Sequence, residues 1–171
     1  IVDAGIGRVV AGMADPDPRT AGSGFARLKA AGIAVTCAQR DPAALGLAGH
    51  ATWLRQGRPH VTLKLALSLD GQIALANGES RWLTGPEARA HAHRERARAD
   101  AILVGGGTLR ADAPRLDVRL PGLEPRAPER WVLTRGAAPQ GWHALPSPAA
   151  IAEAGAVRHL LVEGGGGAAA A

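Results

Sequence analysis

The chain has 171 residues, 46% apolar and 20% charged, which supports a folded core, argues against wholesale disorder and leaves room for one domain or a domain plus a fragment. Its single cysteine, Cys37, excludes an internal disulfide framework and any cysteine-based zinc cluster within these residues, and no apolar run reaches the roughly 18 residues of a membrane-spanning helix. The net charge of +5 rests almost wholly on scattered arginines, since Lys29 and Lys64 are the only lysines, and it suits an anionic small molecule as well as a nucleic acid.

In chain order, Gly7 to Met13 reads as a short apolar strand. DPDPRTAGSG follows as a loop in which Pro16 and Pro18 forbid helix. Ser23 is placed to cap a helix through Phe25, Leu28 and Ala31 that Gly32 stops, and Ile33 to Cys37 reads as a second buried strand, with Cys37 as apolar filler. This strand–helix–strand unit buries too little to be a domain alone, so residues 1–45 read as the tail of something larger. Asp41 to Gly57 reads as a connection with a weak helical stretch near Ala51 to Arg55. The expected division is therefore a remnant over 1–45, a linker over 46–58 and a second domain over 59–171.

The strongest strand signal is HVTLKLALSLDG. Val61, Leu63, Leu65, Leu67 and Leu69 alternate with Thr62, Lys64, Ala66, Ser68 and Asp70, so one face is apolar and the other carries chemistry. Residues 71–82 resemble a hairpin or loop around Asn77-Gly78. Thr84-Gly85-Pro86-Glu87 matches a capping box, and the helix it opens runs to about Ala99. Ala101 to Val104, Arg130 to Thr134 and Val157 to Val162 read as strands, with a helix from Ser147-Pro148 to Gly155. Strands alternating with helices indicate an α/β sheet with parallel strands.

Two of these strands run at once into glycines, in ILVGGGT and LLVEGGGG. Ligands of open α/β sheets bind beyond the carboxyl ends of the strands, where glycine lets backbone N–H groups approach a phosphate. Two such loops in one domain point to an anionic cofactor such as a dinucleotide. Neither is a P-loop, and no G-x-G-x-x-G opens a βαβ unit, which disfavours a Rossmann dehydrogenase. His91 and His93 lie two apart on a helix and cannot clamp one ion, so no metal site is expected. Arg89, His93 and Arg96 share a helix face, either as a solvated stripe or as a phosphate contact. A nucleic-acid-binding module built on the helix 89–98 would leave both glycine loops without a purpose, and aromatics at 3% provide few platforms for bases. Neither a nucleic-acid nor a membrane partner is expected, and the lone cysteine fits a cytoplasmic compartment.

Taken together, RPHVTLKLALSLDGQIA, GESRWLT, DAILVGGGTLRADAPRLDVR and LLVEGGG resemble the reductase domain of the bifunctional riboflavin-biosynthesis deaminase–reductases. AGIGRVVAGMADPDPRTAGSGFARLKAAGIAV resembles the back half of that family's zinc deaminase domain. The resemblance implies a dihydrofolate-reductase-like reductase domain with a mixed, largely parallel sheet flanked by helices. A C-terminal part of a cytidine-deaminase-like α/β/α domain would precede it. It implies NADPH as cofactor, with zinc confined to deaminase residues upstream of these. The reaction implied is reduction of the ribosyl group of a phosphoribosylamino-uracil to the ribityl form, and a reductase of the same fold acting on another pyrimidine or pterin-like substrate is the alternative.

Carried onto this chain, the resemblance implies that Ala66, Trp82, Thr108, Asp112, Gly165, Gly166 and Gly167 line the cofactor site. It likewise implies that Ser80, Arg96, Leu116, Arg119 and Glu163 contact the substrate, a phosphorylated pyrimidine. Lys64 and Asp70, on the polar face of the long strand, are the candidates for the ribose end, with Lys64 assisting proton delivery. One departure is Ala113 in ADAP, where the family has a second acid. In the family a helix and further strands follow the last glycines, so the polypeptide is expected to be longer than these residues. The oligomeric state stays open, a homo-oligomer included.

Overall fold

The computed structural model describes residues 1–41, 46–80 and 82–170. The chain divides into two compact units, Ile1–Gly57 and Arg58–Ala171.

The first unit contains β1 (Arg8–Ala11), α1 (Ser23–Ala30), β2 (Ala34–Cys37) and α2 (Ala48–Gln56). β1 and β2 pair in parallel, with Arg8 opposite Ala34 and Ala11 opposite Cys37. Between β1 and α1, Asp17 grips the Arg19 guanidinium through both carboxylate oxygens, and those hydrogen bonds hold its carboxyl down to about 2. Two expectations are corrected here. Gly22, at φ 77°, occupies the cap of α1, and Ser23 is its first helical residue, donating instead to the Thr20 carbonyl at 2.6 Å. The strands are not buried: both alternate exposed and half-buried residues, and Val10 is 63% exposed. Two strands and two short helices offer too little surface to cover an apolar ribbon from both sides. The stretch expected as a linker carries α2, which ends at Gly57 in the left-handed conformation.

The second unit holds β3 (His60–Leu63), α3 (Pro86–Arg98), β4 (Ala101–Gly105), α4 (Gly106–Asp112), β5 (Glu129–Leu133), β6 (His143–Leu145), β7 (His159–Val162) and α5 (Gly166–Ala169). The sheet order is β3-β7-β4-β5-β6. Every described pairing is parallel, so the sheet is simpler than the mixed one expected. Its core explains why AILV and LLV are unbroken apolar runs: both faces of β4 and β7 are covered. Leu103, Leu160 and Val162 pack on one side with Trp131 and Leu145. Ile102, Val104 and Leu161 pack on the other with Leu116.

The long alternating segment is shorter as a strand than its pattern suggests, and it lies at the edge of the sheet rather than at its centre. Ladder pairing stops at Leu63, but the alternation of exposed and half-buried side chains continues to Ser68. The half-buried side is the polar one, carrying Thr62, Lys64, Ala66 and Ser68, whereas Leu63, Leu65 and Leu67 are exposed. Residues 71–80 form turns, not a hairpin of strands: Gly78 at φ 85° closes a turn in which its N–H meets the Leu75 carbonyl. No capping box forms at α3. Gly85 is its cap, and the Thr84 carbonyl instead accepts a hydrogen bond from Arg89 at 2.6 Å. The helix expected after Ser147 is a 3₁₀ segment, Pro148–Glu153, and β6 is a strand too short to stand out in the sequence.

Candidate functional site

A cavity of about 880 Å³ in the second unit opens at the carboxyl ends of β4 and β7, where an open parallel sheet binds its ligands. Its floor follows from local sequence. β4 gives way to α4 at Gly105 and Gly106, and β7 runs into Glu163, Gly164 and Gly165 before α5. The side chain of Thr108 ties these two loops together by accepting the Gly165 N–H at 3.3 Å. A Cβ on Gly164 would lie 2.3 Å from the Ala168 Cβ, so glycine there is required by the packing of α5 onto the loop. A Cβ on Gly107 would meet nothing within 4 Å, so open space adjoins this residue in the cavity lining.

One wall is α3. Arg96, 14% exposed, reaches across the cavity floor and holds Glu163, 8% exposed, through two hydrogen bonds of 2.7 and 2.8 Å. Lys64, arriving from the end of β3, stands 3.7 Å from the same carboxylate. Burial alone would raise the Glu163 carboxyl, but the Arg96 hydrogen bonds and charge, with help from Lys64, hold it below its ordinary range. The site therefore contains one buried anion facing two cations. Arg96 also donates from Nη1 to the Asp117 carbonyl at 3.0 Å, fixing the segment that leads from Leu116 to Arg119. Leu116 itself is buried in the left-handed region, φ 53°, an unusual and strained conformation for a branched residue.

Trp82, 70% exposed, also lines the cavity, beside α3, with the Arg89 guanidinium 4.7 Å from its ring centroid. Arg89 is anchored in turn by the Thr84 carbonyl, so α3 steadies the indole over the opening.

The residues implied for the cofactor divide accordingly. Ala66, Trp82, Thr108, Asp112 and Gly165 line the cavity, and Gly166 and Gly167, the first two residues of α5, do not. Those implied for the substrate, Ser80, Arg96, Leu116, Arg119 and Glu163, all line it. Lys64 does too, but Asp70 stands in an exposed turn away from the cavity, its carboxylate taken up by the Ser68 hydroxyl. The chain turns at Leu69 and Asp70, so the half-buried polar side ends at Ser68. Arg81, within GESRWLT, lies outside the described residues. Sequence reasoning missed the part played by the 115–119 backbone, and the α3 face carrying Arg89, His93 and Arg96 was its only visible trace. Among the described residues, no three metal-ligating side chains gather, and no helix is long and apolar enough to cross a membrane.

The arrangement has close parallels. A family model described as the RibD C-terminal domain matches residues 59–141. The riboflavin biosynthesis protein RibD of Haemophilus influenzae is 45% identical over 120 residues, 70% of this chain and 32% of that protein. RibD of Escherichia coli is 45% identical over 120 residues, 70% of this chain and 33% of that protein. Among solved structures, the diaminohydroxyphosphoribosylaminopyrimidine deaminase/5-amino-6-(5-phosphoribosylamino)uracil reductase of Thermotoga maritima superposes with a TM-score of 0.80. The match is 28% identical and covers 97% of this chain and 56% of that one. Acinetobacter baumannii RibD gives 0.73 at 30% identity, over 96% and 56%. The chain thus spans about a third of the curated relatives it matches and just over half of the solved ones.

Proposed function

The chain is a RibD-related riboflavin biosynthesis protein matched in its reductase region, and from that premise we propose that residues 58–171 carry an NADPH-dependent reductase site. Its reaction is reduction of the ribosyl group of 5-amino-6-(5-phosphoribosylamino)uracil to the ribitylamino product. The observation that carries this reading is the Arg96–Glu163–Lys64 constellation, set directly beside two glycine loops at the carboxyl end of a parallel sheet.

The cavity suits the cofactor in three respects. Open space adjoins Gly107, Thr108 and Gly165 form a joined floor, and Trp82 provides a flat apolar face in the lining. NADPH, when bound, supplies the hydride. What the protein contributes is mainly position: the ribose C1′ must be held in near-attack geometry on the floor between Lys64 and Glu163. Glu163, kept as a carboxylate by Arg96, accepts hydrogen bonds from the substrate, and Arg119 provides a guanidinium for its phosphate. Lys64 polarises the sugar oxygens or donates the required proton through water.

For residues 1–57 we propose the back part of a deaminase domain. The solved bifunctional relatives align over 97 and 96% of the chain, beyond the reductase region alone, which supports this. A zinc-activated water needs a ligand set, and the described residues gather none, so deamination is proposed only for a longer chain that carries it.

The test is NADPH titration followed by quenching of tryptophan fluorescence, with NADH as comparison. Preferential NADPH binding, lost in Trp82→Ala and weakened in Asp112→Ala, is expected. Equal or absent binding of the two nucleotides would remove the cofactor assignment.

A further inference from the structure

His93 lies on α3 between Arg89 and Arg96, half-buried in the cavity wall. Its Nδ1 sits 3.2 Å from the backbone nitrogen of Arg119, whose N–H points at it, and 3.1 Å from the Asp117 carbonyl oxygen. One ring nitrogen cannot accept from the first and donate to the second. The Asp117 carbonyl already receives a proton from Arg96 Nη1, so the arrangement that serves every group leaves Nδ1 bare and paired with the Arg119 N–H. Burial first, and then the Arg96 and Arg119 charges, hold the imidazole below the ordinary histidine range, against a smaller opposing effect of Asp117. His93 is accordingly neutral at pH 7 and above.

The neighbouring contacts show what this bond controls. Asp117 is held by the Arg96 side chain through its carbonyl and by Arg115 through its carboxylate at 2.9 Å. Its other carboxylate oxygen is buried, 3.3 Å from Arg119 Nε. Arg119 is thus tied at its backbone by His93, whereas its side chain, 60% exposed, lines the cavity and among the described residues is restrained by Asp117. We propose that His93 is a positioning residue: by accepting the Arg119 N–H it sets the register of the 117–119 segment on α3 and so directs the Arg119 guanidinium at the phosphate of a sugar-phosphate ligand. This rests on the reductase reading above, and it adds a residue that touches neither substrate nor reacting atoms. Protonation of His93 would turn Nδ1 into a donor toward the Asp117 carbonyl and release the Arg119 amide. The same ligand site would then weaken on the acid side.

The experiment uses ribose 5-phosphate and ribose as paired probes, titrated into the wild-type chain, His93→Leu and His93→Gln. The Arg119 amide is followed by nuclear magnetic resonance across pH 5 to 8. The expected results are preference for the phosphorylated sugar in the wild type and a loss of that preference by about five- to tenfold in His93→Leu. His93→Gln, whose amide oxygen can still accept the N–H, recovers most of it. The wild-type Arg119 amide should shift with a midpoint below 6.5, and in His93→Gln it should not titrate. Unchanged discrimination in His93→Leu, or an Arg119 amide indifferent to pH in the wild type, overturns the proposal. NADPH titration alongside separates the two readings: if NADPH binds while His93→Leu is silent, only this proposal falls. If the wild type prefers neither NADPH nor the phosphorylated sugar, the reductase site falls with it.

Discussion

Arg96 and Glu163 are separated by 67 positions in the chain, yet the guanidinium takes both carboxylate oxygens, at 2.7 and 2.8 Å, beneath the cavity. The pair joins α3 to the end of β7, and through the Asp117 carbonyl it also fixes the segment between α4 and β5. It is therefore at once the anionic centre of the site and a clamp holding three parts of the unit together.

Glu163→Gln keeps the shape but removes the charge opposite Arg96. Leaving a mostly buried guanidinium uncompensated should cost about 2 to 3 kcal/mol, read as a lower urea midpoint with unchanged slope. Turnover should fall more than stability explains, because the substrate loses its carboxylate partner. A variant with wild-type stability and turnover would show that the pair is neither clamp nor centre.

Acid should weaken the fold in two stages. Burial, with His60 beside it, holds His159 below 6.5, so the unfolded chain takes up its proton first. The stability His159 contributes is complete above that value and is lost as pH falls through its folded one, and His93 adds to the same stage. Glu163 behaves in the same sense around its ordinary value of 4.5: its contribution is full above it and disappears as pH drops through the depressed folded value. Urea unfolding in steps from pH 8 to 3 should show both stages. His159→Gln should diminish the upper one alone, and Glu163→Gln the lower one alone.

Two glycines of the last loop should differ sharply. Gly164→Ala would drive a methyl group to 2.3 Å from the Ala168 Cβ, forcing α5 off the loop at about 1 to 3 kcal/mol and weakening NADPH binding with it. Gly167→Ala has free space around it and should be neutral or slightly stabilising. Thermal unfolding and the nucleotide titration read both. Equal effects at the two positions would mean that α5 does not pack as described.

Lys64 provides a test of the chemistry. Lys64→Met preserves the stem, removes the ammonium beside Glu163 and should lower kcat by about a hundredfold with a smaller change in NADPH affinity. Unchanged turnover would end its assignment to proton delivery or polarisation. Asp70→Asn, in its exposed turn, should leave turnover near that of the wild type.

Periodicity and punctuation alone determined a good deal of this protein. The doubly covered runs AILV and LLV read as buried strands because apolar side chains fill both faces of such a strand. The glycines that follow them marked the ligand end of the sheet, and the alternation from His60 onward placed Lys64 and Ala66 on one side of the chain. Such signals are local, set by φ/ψ preference and by repeats of two or 3.6 residues. What only the tertiary structure decided depends on partners distant in sequence. Lys64 reaches the site because its N–H still pairs with the Val162 carbonyl at the end of β7, whereas Asp70 lies beyond, in a turn closed by the Gly71 N–H on the Ser68 carbonyl. That Gly164 serves packing is a matter of where Ala168 comes to rest. Arg96 becomes a clamp, and His93 an anchor for Arg119, because β4 and β7 bring residue 163 and the 115–119 segment against one face of α3. No spacing within α3 carries that information, since the groups that give those side chains their roles lie outside the helix.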